Sequence, residues 1–184
     1  MSGEKMIKIL GDKIGCSTYR MAYYFKYGFT KEAASDENWR IRREYYYIVG
    51  HGKEAMKDPC EVIRLKAYRL ARFPAESESD ICPKIRLEAY RCNGYSRAAK
   101  SDPDPIIRFE AYLQLGWTDE AKQDDNWRIR MNAYRALGFT HDAMHDEEEN
   151  IRITAYRMFG YTQEALLDHS GKIRSEAAVY LSLP

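Results

Sequence analysis

With 184 residues, 45% of them apolar and 31% charged, the chain is long and apolar enough to bury a core, which excludes wholesale disorder. It contains no run of about 18 apolar residues, which excludes a membrane-spanning helix. Met1 to Cys16 lacks an uninterrupted apolar stretch and does not read as a signal peptide, so a soluble cytoplasmic protein is the default expectation.

The net charge of +1 hides an asymmetry. Residues 1–72 carry 15 Lys and Arg against 9 Asp and Glu, a net +6. Residues 73–184 carry 14 against 19, a net −5. The basic part is also rich in aromatic residues. Such polarity can orient an acidic partner, or it can reflect drift among exposed positions.

In chain order, residues 1–18 are expected to form an N-terminal cap, with Met6, Ile7, Ile9 and Leu10 covering the first repeat. From there an arginine recurs every 22 residues, at Arg20, Arg42, Arg64, Arg86, Arg108, Arg130, Arg152 and Arg174. An isoleucine precedes each one except Arg20, which follows Tyr19. A fixed period in this range signals stacked structural units. Counting each unit from the isoleucine as position 0, position 4 is alanine from Ala67 to Ala177. Position 5 is tyrosine from Tyr24 to Tyr156, position 9 is usually glycine, and position 17 is aspartate from Asp36 to Asp168.

The aspartate is expected to be the N-cap of a long helix, with Pro59 or Pro103 at the first helical position. Asp58-Pro59-Cys60-Glu61 has the spacing of a capping box. The glycine is the expected C-terminal stop in a left-handed, Schellman-type ending. The following aromatic residue (Phe29, Tyr95, Trp117, Phe139 or Tyr161) should pack back on the tyrosine five residues earlier. About 13 residues lie between cap and stop, a helix of three to four turns. A threonine or serine then caps a second helix of one turn, α or 3₁₀. On the long helix, positions 0, 4 and 8 form one apolar stripe, and the mostly apolar position 2 lies on another side. Positions 3, 6 and 21 face outward.

Seven full units run from Tyr19 to Gly171, followed by a final helix. The unit at Ile63 departs from the pattern: Arg72-Phe73-Pro74-Ala75 replaces Gly-aromatic-Thr, and a kink near residues 72–80 is expected. The architecture predicted is an all-α, right-handed α-solenoid of about seven 22-residue repeats spanning residues 19–184, each a long helix plus a one-turn helix.

Asp102-Pro103-Asp104-Pro105-Ile106-Ile107-Arg108, followed by Ala111 and Leu115-Gly116, resembles the HEAT-like repeats of the phycobilisome-lyase type. Asp124-Asp125-Asn126-Trp127-Arg128-Ile129-Arg130 is similar to the leucine-rich-repeat-variant family, which also follows its long helix with a short 3₁₀ turn. The resemblance covers about residues 19–183. It implies a scaffold for interactions; some HEAT-like proteins bind nucleic acid, and some act on bilin chromophores or alkylated bases. The iron–sulfur cysteine cluster of some variant-repeat proteins has no counterpart here.

The arginine and aspartate series reads either as an internal ladder, suited to the guanidinium fork, or as a track for phosphates. Seven matching aspartates favour the ladder. Arg69, Arg91, Arg135 and Arg157, with Tyr47 and Leu113 between them, occupy position 6. Arg40, Lys84, Arg128 and Lys172 occupy position 21. This row is either a partner-binding surface or a solvated row paired to Glu88, Glu110 or Glu176 at position 3. Arg40, Arg43, Tyr45 and Tyr47 form the candidate nucleic-acid site, combining cations with rings on which bases could stack.

Cys16, Cys60, Cys82 and Cys92 show neither metal-ligand nor disulfide spacing and read as reduced thiols. His141 and His145 stand four apart without a third ligand, so no metal is expected. No GxSxG, P-loop or HExxH motif occurs, and no cofactor is implied. The preferred reading is a macromolecule-binding scaffold, most simply a protein–protein adaptor or inhibitor. A nucleic-acid binder using the basic aromatic half is the alternative, and a lyase- or glycosylase-like enzyme is the third reading.

Overall fold

Helix-forming segments of almost constant length alternate with short turns throughout the computed structural model, which describes residues 16–182. The cap expected over residues 1–18 lies almost wholly outside this range. Among the described residues eight α-helices follow one another: α1 (Ser17–Tyr27), α2 (Trp39–Val49), α3 (Glu61–Leu70), α4 (Pro83–Asn93), α5 (Pro105–Leu115), α6 (Trp127–Leu137), α7 (Glu149–Phe159) and α8 (Gly171–Ser182). A 3₁₀ turn precedes each helix from α2 onward, and the helix packs on that turn. No strand occurs among the described residues. The chain divides into two compact units, one ending at Gly94 and the other beginning at Tyr95.

Each repeat contributes to a small core of constant composition. Tyr112, Ala121, Ile129 and Ala133 cluster in one; Tyr46, Ala55, Ile63 and Ala67 cluster in another. The tyrosine comes from one helix, the first alanine from the 3₁₀ turn, and the isoleucine and second alanine from the next helix. Every position-0 isoleucine from Ile41 to Ile173 is buried, as are the turn alanines Ala33, Ala55, Ala99, Ala121, Ala143 and Ala165. Turn alanines such as Ala33, Ala121 and Ala165 have a 22-residue period of their own that the sequence reading passed over. In the third turn Ser77 replaces alanine, and its hydroxyl donates to the Pro74 carbonyl at 2.6 Å. The alanines leave room for the turn to sit against the helix; a larger side chain there would overpack the interface.

Four sequence expectations change. The position-17 aspartate is not the helix N-cap. It accepts the backbone N–H two residues on, as Asp124 does from Asn126 at 2.8 Å, forming an Asx turn ahead of the cap. The residue two on is the real N-cap: Asn38, Asp104 and Asn126 accept the N–H groups of Arg40, Ile106 and Arg128. The prolines at the first helical turn are therefore Pro83 and Pro105, and Cys60 caps α3 without a side-chain bond, so the capping box does not form. The long helices are correspondingly shorter, 10–12 residues. The threonines before the 3₁₀ turns make no side-chain cap; the Thr118 carbonyl instead accepts Ala121 N–H at 3.0 Å.

Position 8 is exposed rather than buried, at Val49, Leu115, Leu137 and Phe159. Each is the last residue of its helix, so its side chain stands at the helix end rather than in the core.

The helix endings supply the fourth change. The glycines have φ between 88° and 99°. At Gly138 ψ is 144°, an extended conformation essentially restricted to glycine rather than the αL of a Schellman ending. The aromatic packing expected there is nevertheless present. Trp117 stacks on Tyr112 at 5.5 Å, Phe139 on Tyr134 at 5.2 Å and Tyr161 on Tyr156 at 5.6 Å.

A Schellman pattern occurs instead where the glycine is missing. Phe73 N–H donates to the Tyr68 carbonyl at 2.8 Å and Arg72 N–H to that of Arg69 at 3.2 Å. Arg72 and Phe73 then have φ of 57° and 49°, a conformation that costs an L-residue roughly 1–2 kcal/mol. Arg72→Gly is therefore expected to stabilise the protein by about 0.5–1 kcal/mol after the flexibility of the unfolded glycine is counted. A chemical-denaturation midpoint that moves down would contradict this.

Candidate functional site

The periodic arginine is consumed inside the structure. Arg108 donates from Nε and Nη2 to the two carboxylate oxygens of Asp124, both at 2.8 Å. Its Nη1 donates to the carbonyls of Asp102 and Pro103 at 2.9 and 3.1 Å. Arg42, Arg64, Arg130 and Arg152 repeat the same fork to Asp58, Asp80, Asp146 and Asp168. Arg20 grips Asp36 in the same way. Arg42, Arg64, Arg108, Arg130 and Arg152 thus each tie the end of their own Asx turn to the aspartate of the next repeat.

These guanidiniums are raised above their ordinary range by the carboxylate hydrogen bond. Asp168 is held below the usual carboxylate range, chiefly by Arg152. For Asp124 burial pushes upward, but the bonds from Arg108 and from Asn126 N–H outweigh it, and its proton is lost more readily. The ladder reading holds, and these arginines are not available as a phosphate track. Arg174 donates to the carbonyls of Asp168 and His169, but no aspartate follows it among the described residues.

The outward row divides residue by residue. Position 6 is exposed in every repeat. Arg69 binds Glu88, and Arg157 binds Glu176, each through an Nη2 contact of 2.6 Å. The partner stands 19 residues after the arginine in both cases. Arg157, together with the Tyr161 hydroxyl, lowers the Glu176 carboxyl to about 2. The residue 19 positions after Arg135 is Thr154, and Arg135 has no carboxylate partner among the described residues.

Arg128 lies over the Trp127 ring at 5.5 Å, as Arg40 lies over Trp39 at 5.7 Å. Lys84 and Arg91 are exposed on α4. Arg43 pairs with the adjacent Glu44 and also lies over Trp39, at 5.4 Å. Tyr45 is half-buried edge-on against Tyr46. Tyr47 is 74% exposed. Of the four residues in the candidate nucleic-acid site, Arg40 and Tyr47 therefore combine exposure with freedom from a neighbouring carboxylate.

Four residues of the outward row, Arg128, Arg135, Arg157 and Lys172, line a groove of about 710 Å³ across α5 to α8. Consecutive position-2 residues, Phe109, Met131 and Ile153, line it. Met131 and Ile153 are buried, and Phe109 is half-buried. Trp127 and Ile106 add apolar surface. Asn126, Asn132, Asn150 and Thr154 supply polar groups, and no carboxylate lines the groove.

The sequence identified the arginines but missed the position-2 residues as a surface feature. The available signal was the replacement of glutamate by Asn132 and Thr154 at position 3. A smaller hollow of about 440 Å³ between α2 and α3 contains Tyr47, Arg43 and Arg69, but also Glu44. Both arginines there are already paired.

His141 stacks on Phe159 at 4.4 Å. No cluster of three His, Cys, Asp or Glu occurs among the described residues. None of the described helices is long and apolar enough to cross a membrane. Comparison with known proteins finds no matching family model, curated protein or solved structure.

Proposed function

We propose that this helical-repeat protein is a HEAT-like binding scaffold whose partner is another protein, with the α5–α8 groove as the contact site. The observation that carries the reading is the groove itself: cations at its edges, an apolar lining and no carboxylate. A volume of this order is in the range of well-formed binding clefts. Repeats locked by the arginine ladder hold the groove in one shape, which lowers the ordering cost of association. An adaptor or an inhibitor would use the groove in the same way, by covering a segment of its partner.

Tagged wild-type protein and the Arg128→Glu/Arg135→Glu variant test this on a lysate of the source cells. Both arginines are exposed and lie outside the ladder, so the two proteins should melt within about 3 °C of each other, since each such surface change costs under about 0.5 kcal/mol. At least one protein retained by the wild type should be lost by the variant. Identical retained sets would overturn the reading.

A further inference from the structure

We infer that the α5–α8 groove takes an acidic, extended segment of its protein partner, anchored by one apolar side chain. This rests on the protein-binding reading above and adds the chemistry of the ligand.

The charge distribution is the first support. Residues 95–184 carry 11 Lys and Arg against 15 Asp and Glu, a net −4. The groove lining inverts that balance, with Arg128, Arg135, Arg157 and Lys172 and no carboxylate among its residues, Arg157 being already paired to Glu176. Arg135 lacks a partner because Thr154 stands where Arg69 and Arg157 find glutamates. Arg128 is supported by the Trp127 face rather than by a carboxylate. An unpaired guanidinium beside apolar surface is prepared to accept a carboxylate in forked geometry.

The spacing supplies the second. Arg128 and Arg135 stand seven residues apart on α6, about 10 Å along the helix at 1.5 Å per residue. An extended chain rises about 3.3 Å per residue. Carboxylates about three residues apart would therefore match these two arginines. Between those carboxylates a side chain can reach Phe109 and Trp127. Ile106, 60% exposed at the rim, offers a further apolar contact.

A nucleic-acid backbone fits less well. Asn150, in the groove wall, donates to the Glu148 carboxylate at 2.7 Å, and Glu147 and Glu149 flank it in sequence. A continuous polyanion would meet these acids, whereas a short acidic segment can stop before them.

The test selects displayed random peptides of about 12 residues, about 40 Å when extended, on the intact protein. The selected peptides should be enriched in Asp and Glu about three apart, with an aliphatic or aromatic residue between. Their affinity should fall about tenfold or more for Arg128→Glu/Arg135→Glu, and less for Arg128→Gln/Arg135→Gln. Replacing the peptide carboxylates by Gln should weaken binding similarly. Thermal melting checks that each variant is folded.

Neutral or basic winners would overturn the assignment, as would equal affinity for the charge-reversed variant. So would a single-stranded DNA of similar length that displaces the peptide more effectively than the unlabelled peptide does. Neutral peptides that the variant still loses would remove the acidic assignment while leaving the groove a protein site. If neither peptides nor lysate proteins depend on Arg128 and Arg135, both readings fall.

Discussion

Arg108→Ala is expected to destabilise the protein by about 3–5 kcal/mol, the range for removing one partner of a buried ion pair. For a chain of this length that is a fall in melting temperature of roughly 6–20 °C. The guanidinium is 10% exposed and makes forked bonds to Asp124, with two further bonds to the carbonyls of Asp102 and Pro103. Alanine leaves the Asp124 carboxylate with Asn126 N–H but without its counter-charge, and leaves two carbonyls without their donor. Arg108→Lys should recover only part of the loss, because an ammonium cannot span both carboxylate oxygens and both carbonyls. Thermal melts followed by circular dichroism measure both. A shift under about 3 °C, corresponding to about 1 kcal/mol, would show the rung to be dispensable.

Ile129→Ala should cost about 2–5 kcal/mol. Ile129 is 1% exposed and packs in one cluster with Tyr112, Ala121 and Ala133. The alanine neighbours cannot expand into the space it leaves, so the cavity persists. Because each repeat relies on its neighbours, the damage should be concentrated around α5 and α6. Amide exchange should accelerate there more than in α2 and α3, which lie in the other compact unit. Ile129→Val, which deletes one methylene, should cost only about 0.5–1.5 kcal/mol. A loss for Ile129→Ala no larger than that of valine would contradict the burial.

The repeat core was legible because its chemistry is invariant. Ile129 and Ala133 recur as Ile151 and Ala155, and Tyr112 recurs as Tyr134 and Tyr156. The stacking of Trp117 on Tyr112 was legible from the glycine between them. Asp124 was harder. An aspartate ahead of a helix looks like its cap, but the cap is Asn126, and the equivalent residues are as varied as Cys60, Cys82 and Glu148. A role filled by different chemistry in each repeat leaves no periodic trace.

At Gly138 the positive φ was legible but the value of ψ was not, since glycine permits both endings. Arg135 was readable as an outward cation. That it lacks a partner depends on Thr154, a residue 19 positions away whose relevance appears only when adjacent helices are placed side by side. The groove is a property of four successive helices together, α5 to α8, defined as much by the glutamates its lining lacks as by the cations it has.

The separation of roles between arginines rests on the periodic series being internal, and a double-mutant cycle on Arg108 and Asp124 measures this most directly. Arg108→Ala, Asp124→Ala and the double variant are compared with wild type by denaturant unfolding. If Arg108 ties one repeat to the next, the double variant loses less than the sum of the two single losses, by a coupling energy of about 1–3 kcal/mol. Additive losses, with coupling below about 0.5 kcal/mol, would mean that the two residues act independently and that the ladder does not hold the repeats together.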